Sequence, residues 1–235
     1  MCYTKSMEKL RRKFEKYKKG FTLAEVLITL VIVGVVAALT IPNLINKTNH
    51  KEYASKLKKA YSILQQFVHA SAMQKGEPQG DYSFFNNYDF INEFAKTVNV
   101  AKKCDILQEC FATENYSGNL IYYNKLNNQK ETFIAGKTVI TSDGILYNFS
   151  NDSLLSPYNY GISTETYTKF IGRIIVDVNG PKKPNTVGID TFIFYLVNPA
   201  GVVPAGIENV SGCGKNQEGK TCAAKVLRDG DINYL

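Results

Sequence analysis

Residues Lys18–Ile41 read KKGFTLAEVLITLVIVGVVAALTI. From Phe21 to Ile41 there are 21 residues and one charge, Glu25. An α-helix rises about 1.5 Å per residue, so this run matches roughly the 30 Å of a bilayer core. A secretory signal cut near Val35-Val36-Ala37 is the plainer reading. The run is long for such a signal, no good small-residue cleavage site follows it, and Glu25 stands where an apolar core should be uncharged.

The residues before this run explain the net charge of +7 over 235 residues. Positions 1–20 hold eight basic and two acidic residues, which leaves +1 for the rest of the chain. A chain so nearly neutral past its leader has little electrostatic pull on DNA, and nucleic acid is disfavoured as a partner. Basic residues flanking an apolar span mark its cytoplasmic side, so the sequence predicts a single pass with the N-terminus inside. The 44% hydrophobic content is that of a globular protein.

A carboxylate a few residues inside hydrocarbon is costly enough to be paired or functional. Lys18-Lys19-Gly20, then Phe21-Thr22-Leu23-Ala24-Glu25, an apolar helix and Pro42 together resemble the N-terminal signal of type IV pilins and type II secretion pseudopilins. The resemblance covers roughly residues 18–75. It implies an α+β, type IV pilin-like fold, with a long N-terminal helix packed on a small antiparallel-sheet head. It also implies the division of the chain: a cleaved leader at 1–20, a transmembrane half-helix at 21–42, an amphipathic half at 43–76 and a globular head at 77–235.

The same resemblance implies cleavage between Gly20 and Phe21 by a prepilin peptidase, with N-methylation of Phe21. Glu25 would pair with the Phe21 ammonium of a neighbouring subunit, and Pro42 would kink the helix near the outer interface. The implied role is a structural subunit, not an enzyme, of a type IV pilus or a type II secretion pseudopilus. Its partners would be other pilin or pseudopilin subunits, the bilayer, and an assembly platform with its ATPase. The head would lie outside the cytoplasmic membrane, then in a periplasmic or extracellular filament. Snorkelling of Glu25 to the headgroups is the bland alternative.

Beyond Pro42, apolar residues recur at Tyr53, Leu57, Ala60/Tyr61, Leu64, Phe67/Val68 and Ala72. Steps of three and four make one helical stripe, read as the face that meets the head, and Gly76 and Pro78 end the helix. A basic amphipathic helix lying on a membrane is the competing reading. Phe90, Ile91, Phe94, Ala95 and Val98 space as a short helix within 86–99. Strands are expected at 119–125, 138–141, 145–149, 170–178 and 191–197, with Ser142-Asp143-Gly144 as a hairpin turn and 151–161 as a surface loop.

Cys2 falls in the leader, leaving Cys104, Cys110, Cys213 and Cys222. Four cysteines outside the membrane read as two disulfides with three connectivities open; short separations favour Cys104–Cys110 and Cys213–Cys222. Zinc is a poor competitor, since neither spacing is CxxC and the two histidines, His50 and His69, lie on the long helix.

Between two predicted strands, Asp177, Asn179, Asn185 and Asp190 surround a Gly/Pro-rich turn. Their oxygens could serve calcium, which some pseudopilins hold in a C-terminal loop. Pro181 and Lys183 fall at ligand positions of the EF-hand spacing, so a self-capping Asx-turn loop without cofactor is preferred. No GxSxG, HExxH or P-loop is present. A pilus-tip binding module (adhesin or DNA-uptake receptor) is the main alternative function, with a membrane-anchored enzyme behind it.

Overall fold

The computed structural model describes residues 20–77, 81–87, 90–104, 109–111, 116–117, 120–134, 136–151, 157–167 and 169–235. The expected leader, save Gly20, and the stop residue Pro78 lie outside the described residues. The chain divides into two compact units, 1–47 and 48–235.

Helix α1, Leu23–Lys75, carries the apolar run and passes through Pro42. In the first unit its large apolar side chains, from Val26 through Leu39, Ile41 and Leu44, are exposed. This helix is long and apolar enough to cross a membrane. Thr29 and Thr40 donate their hydroxyls to their own helix, to Val26 O and Val36 O, each at 2.9 Å. An apolar surround offers no water, and these bonds leave no hydroxyl of the span unsatisfied.

In the second unit α1 is one-sided. Leu57, Ala60, Leu64, Phe67, Val68 and Ala72 are buried, with Tyr53 and Tyr61 packed beside them. Ala54, outside the predicted stripe, is buried as well. Helix α2, Phe90–Thr97, follows a 3-10 turn at Ser83–Asn87. It sets Phe90 and Phe94 against Phe67, with ring centroids 5.1 and 5.3 Å apart.

These helices lie on a six-stranded antiparallel sheet. Its strands are β1 (Val100–Cys104), β5 (Lys137–Thr141), β6 (Leu146–Ser150), β7 (Lys169–Asp177), β8 (Thr191–Asn198) and β9 (Gly201–Pro204). They are ordered β1-β5-β6-β7-β8-β9. A second sheet, β2 (Tyr116–Ser117), β3 (Leu120–Asn124) and β4 (Lys130–Ile134), makes three further antiparallel strands. A C-terminal helix α3, Cys222–Asp229, closes the chain.

Side chains alternate across a strand, and in β8 both faces are buried. Phe192, Phe194 and Leu196 join the core beneath α1 and α2. Ile193, Tyr195 and Val197 join a second core with Ile121, Tyr123 and Phe133 of the small sheet. In β7, Ile174 and Val176 face the helices while Ile175 faces the small sheet. A register shift between Phe170 and Gly172 changes this parity and puts Ile171 on the helix side. The expected single small sheet is thus two sheets, and the 151–161 segment is not all surface. Pro157–Tyr160 forms a 3-10 turn and Tyr160 is buried.

Candidate functional site

The chain entering α1 is ordered by two side chains. Thr22 stands before the first helical residue, and its Oγ1 accepts the Glu25 N–H at 3.2 Å. Glu25 returns the contact: its Oε2 accepts the Thr22 N–H and the Thr22 hydroxyl, each at 2.7 Å. Val26 N–H donates to Thr22 O at 3.2 Å, the first turn of the helix. This is a capping box, which satisfies orphan donors that a helix N-terminus leaves behind. Its sequence signal, Thr-x-x-Glu, is plain in Thr22–Glu25, and it adds a bond within the chain to the intersubunit pairing and the snorkelling expected of Glu25. Phe21 is 88% exposed just outside the cap. Gly20 has open space where a side chain would begin.

Among the described residues the cysteines form two disulfides, Cys104–Cys110 and Cys213–Cys222. Cys104 and Cys110 are buried in the core under the small sheet, and Cys222 in the core under the helices. Beside Cys222, Lys125, Glu131, Glu218 and Lys220 form a closed ring of charge. The Lys125 Nζ lies 3.0 Å from Glu131 and 2.9 Å from Glu218. Lys220 reaches the same two carboxylates at 2.9 and 3.3 Å. The ring ties the β3–β4 hairpin to the disulfide loop. The Lys125 contact, with the Lys220 charge, holds the Glu218 carboxyl below its usual range.

Asp177 ends β7 and Asp190 immediately precedes β8, and the structure brings both into one buried pocket of the 177–190 loop. Asp190 accepts the Asn185 N–H at 2.8 Å and the Thr186 N–H at 2.7 Å. Asp177 accepts the Asn179 N–H at 3.3 Å and the Thr191 hydroxyl at 3.3 Å. Asn179 Nδ2 donates to Tyr53 Oη and to Lys183 O, each at 3.2 Å. Asn185 is buried at a φ of 50°, a left-handed position Asn tolerates. Burial, then the Asp190 charge, pushes the Asp177 carboxyl well above its usual range. Burial raises Asp190 to about 6, against the hydrogen bonds that favour its charged form. Both carboxylates are spent on the loop's own backbone amides and on Thr191. Asp177 accepts the amide two residues on, as an Asx turn does, whereas Asp190 accepts amides four and five residues before it; among the described residues no three His, Cys, Asp or Glu group as metal ligands.

Thr141-Ser142-Asp143-Gly144 makes the expected turn, with Gly144 N–H on Thr141 O at 2.8 Å. Asp143 is held by Lys59 at 2.7 Å and Thr141 Oγ1 at 2.5 Å. Nothing in it forms a nucleophile–base pair.

Residues 16–41 match the family model described as a prokaryotic N-terminal methylation motif. The chain is also similar to the type IV narrow pilus major component PilA5 of Thermus thermophilus, 32% identical over 68 residues. That alignment covers 29% of this chain and 59% of the relative, so the chain spans less than two thirds of the relative's length. No solved structure matches the chain.

Proposed function

Given a chain of the type IV pilin kind, with its prepilin-type methylation motif and its long apolar helix ahead of an antiparallel α+β head, we propose that it is a structural pilus subunit. The carrying observation is one constellation: Gly20 and Phe21 lie exposed and unencumbered just before the Thr22–Glu25 cap and the apolar helix. A membrane peptidase would cut after Gly20 on the cytoplasmic face and leave the helix as an anchor. Phe21 would then be N-methylated, and Pro42 would bend the helix near the outer surface of the cytoplasmic membrane.

Assembly would bring the Phe21 ammonium of one subunit to the Glu25 of another. In a dry helix bundle each charge is costly alone and tolerable together, so the pair sets register more than it adds stability. Like contacts repeated without closure give a helical filament. A platform and ATPase would extract the subunit from the bilayer. The relative's description as a pilus major component favours a pilus over a secretion pseudopilus.

Mass spectrometry of the mature N-terminus tests this reading. It expects a chain beginning at N-methyl-Phe21; a chain beginning near Ala38 would sink it.

A further inference from the structure

The 177–190 loop brings its tip to the start of the second unit's part of α1. Asn49, Glu52, Tyr53 and Lys56 of the helix and Lys182 and Lys183 of the loop line one open hollow of about 280 Å³. Asn179 pins the tip there, since its Nδ2 donates both to Tyr53 Oη on α1 and to Lys183 O in the loop, each at 3.2 Å. Lys182 and Lys183 are exposed, as is Lys51 on α1. Positive charge gathers on this face. Lys51, Lys56, Lys59, Lys182 and Lys183 stand against two carboxylates, Glu52 and Asp143, which hold Lys56 and Lys59 at 2.9 and 2.7 Å. Five lysines against two carboxylates leave +3, whereas residues 21–235 together carry only +1, so the rest of that stretch is negative.

Chain length places that charge. Asn49 and Glu52 follow Ile41, the end of the apolar run, by 8 and 11 residues. At about 1.5 Å per residue a helix carries them no further than roughly 12 and 17 Å from the hydrocarbon edge. Headgroups fill about 5–7 Å of that distance, and their field reaches about 8 Å further at physiological salt. Lysines on this side of the span work against the orientation that the leader sets, so orientation does not account for them. We propose that the face carrying Lys51, Lys56, Lys182 and Lys183 docks on anionic phospholipid headgroups of the bilayer that α1 spans. The proposal rests on α1 as a membrane anchor and not on the filament. Flexible stems let the ammonium groups reach phosphodiester oxygens while the backbone stays where Asn179 holds it. The charges are spread and exposed, with no enclosed cradle, which suits a surface of phosphodiesters better than one phosphate. Docked in this way, the head is held at the bilayer surface, and leaving the membrane breaks these contacts.

The test is lysine acetylation of the full-length protein in nanodiscs, read residue by residue by mass spectrometry. Discs of phosphatidylcholine alone are compared with discs of equal parts phosphatidylcholine and phosphatidylglycerol. At low salt the anionic discs should slow acetylation of Lys51, Lys182 and Lys183 about threefold or more, and about 0.5 M salt should restore it. Lys75, exposed at the far end of α1, should react alike in both. The double variant Lys182→Gln, Lys183→Gln keeps the carbonyl that Asn179 holds. It should carry about tenfold less phosphatidylglycerol out of mixed discs in native mass spectrometry, with an unchanged melting temperature. Wild type and variant bear the same leader, so the difference reports the head. Entry into both discs with equal acetylation of the three lysines would overturn this proposal and leave the anchor standing. Failure to enter discs of phosphatidylcholine would overturn the anchor reading, and this proposal with it.

Discussion

Thr22 and Glu25 satisfy each other: the Glu25 Oε2 sits 2.7 Å from both the backbone nitrogen and the hydroxyl of Thr22, while Thr22 Oγ1 caps the Glu25 amide. In the single chain the carboxylate is therefore already engaged before any neighbour arrives. The proposed pairing with another subunit would then be an exchange of partners and need not begin from an orphan charge. Two variants separate these roles. Glu25→Ala removes both and should be processed and inserted normally but form no filaments. Glu25→Gln keeps a side chain able to accept from Thr22 and loses only the charge. It should retain helical order at residues 22–26 by amide exchange and still fail to assemble. Normal filaments from Glu25→Gln, seen by electron microscopy, would show that the cap and not the charge matters.

Thr22→Ala should loosen the first turn of α1 by about 1 kcal/mol, the usual worth of such a cap. Amide exchange at Glu25 and Val26 reports it directly. Unchanged exchange there would remove the capping box from consideration.

The buried carboxylate Asp190 makes stability fall as pH rises. Its folded value of about 6 lies above the ordinary unfolded value of about 4. Its contribution is therefore complete below pH 4 and lost as pH climbs through 6, a change of order 2–3 kcal/mol. Glu218 and Asp143, held low, act in the opposite sense, so the comparison must be with Asp190→Asn. The variant's deficit against the wild type, measured by urea unfolding, should shrink from pH 4.5 to pH 7.5. A deficit independent of pH would contradict this.

Reduction of Cys213–Cys222, separated by 9 positions, should cost about 2–3 kcal/mol through the entropy regained by the unfolded chain. The ring of Lys125, Glu131, Glu218 and Lys220 should limit the damage to the disulfide loop and α3. Glu131→Gln in the reduced protein should then be more destabilising than in the oxidised one. Additive effects in a double-mutant cycle would show that ring and disulfide act separately.

Gly172 has no room for a Cβ unless the Phe149 ring shifts. A Cβ there would lie 2.6 Å from the Cε2 and Cζ of Phe149. Gly172→Ala should cost about 1–3 kcal/mol by overpacking, and Phe149→Leu in the same chain should recover part of it in thermal melts. A neutral Gly172→Ala would mean the ring moves aside freely.

The legible parts of the molecule were those written in one period. The uninterrupted run at 21–41 and the three-and-four stripe from Tyr53 to Ala72 are strong signals, and both fall within α1. Strands β7 and β8 are long β-branched and aromatic runs, easily read. Strand β1, Val-Ala-Lys-Lys-Cys, is largely exposed and shows no alternation, so nothing marks it except its pairing with β5. Strand β9 is four residues ending in Pro204, which demotes it by composition although it is wholly buried. Helix α3 begins at a disulfide cysteine with no side-chain cap. At the N-terminus, Glu25 is legible as the lone charge of an apolar run, whereas its bond to Thr22 lies within one helical turn and leaves that contrast unchanged.

The β7–β8 part of the six-stranded sheet is largely apolar on both faces, and that has a consequence for how the head can vary. It works as a partition between two interiors, one filled by the helices and one roofed by the small sheet. A change in one interior reaches the other chiefly through the backbone of β7 and β8, since neighbouring residues there point into different rooms. Descendants of this chain could rebuild the roofed side, with its Cys104–Cys110 loop, while leaving the helix-bearing side undisturbed.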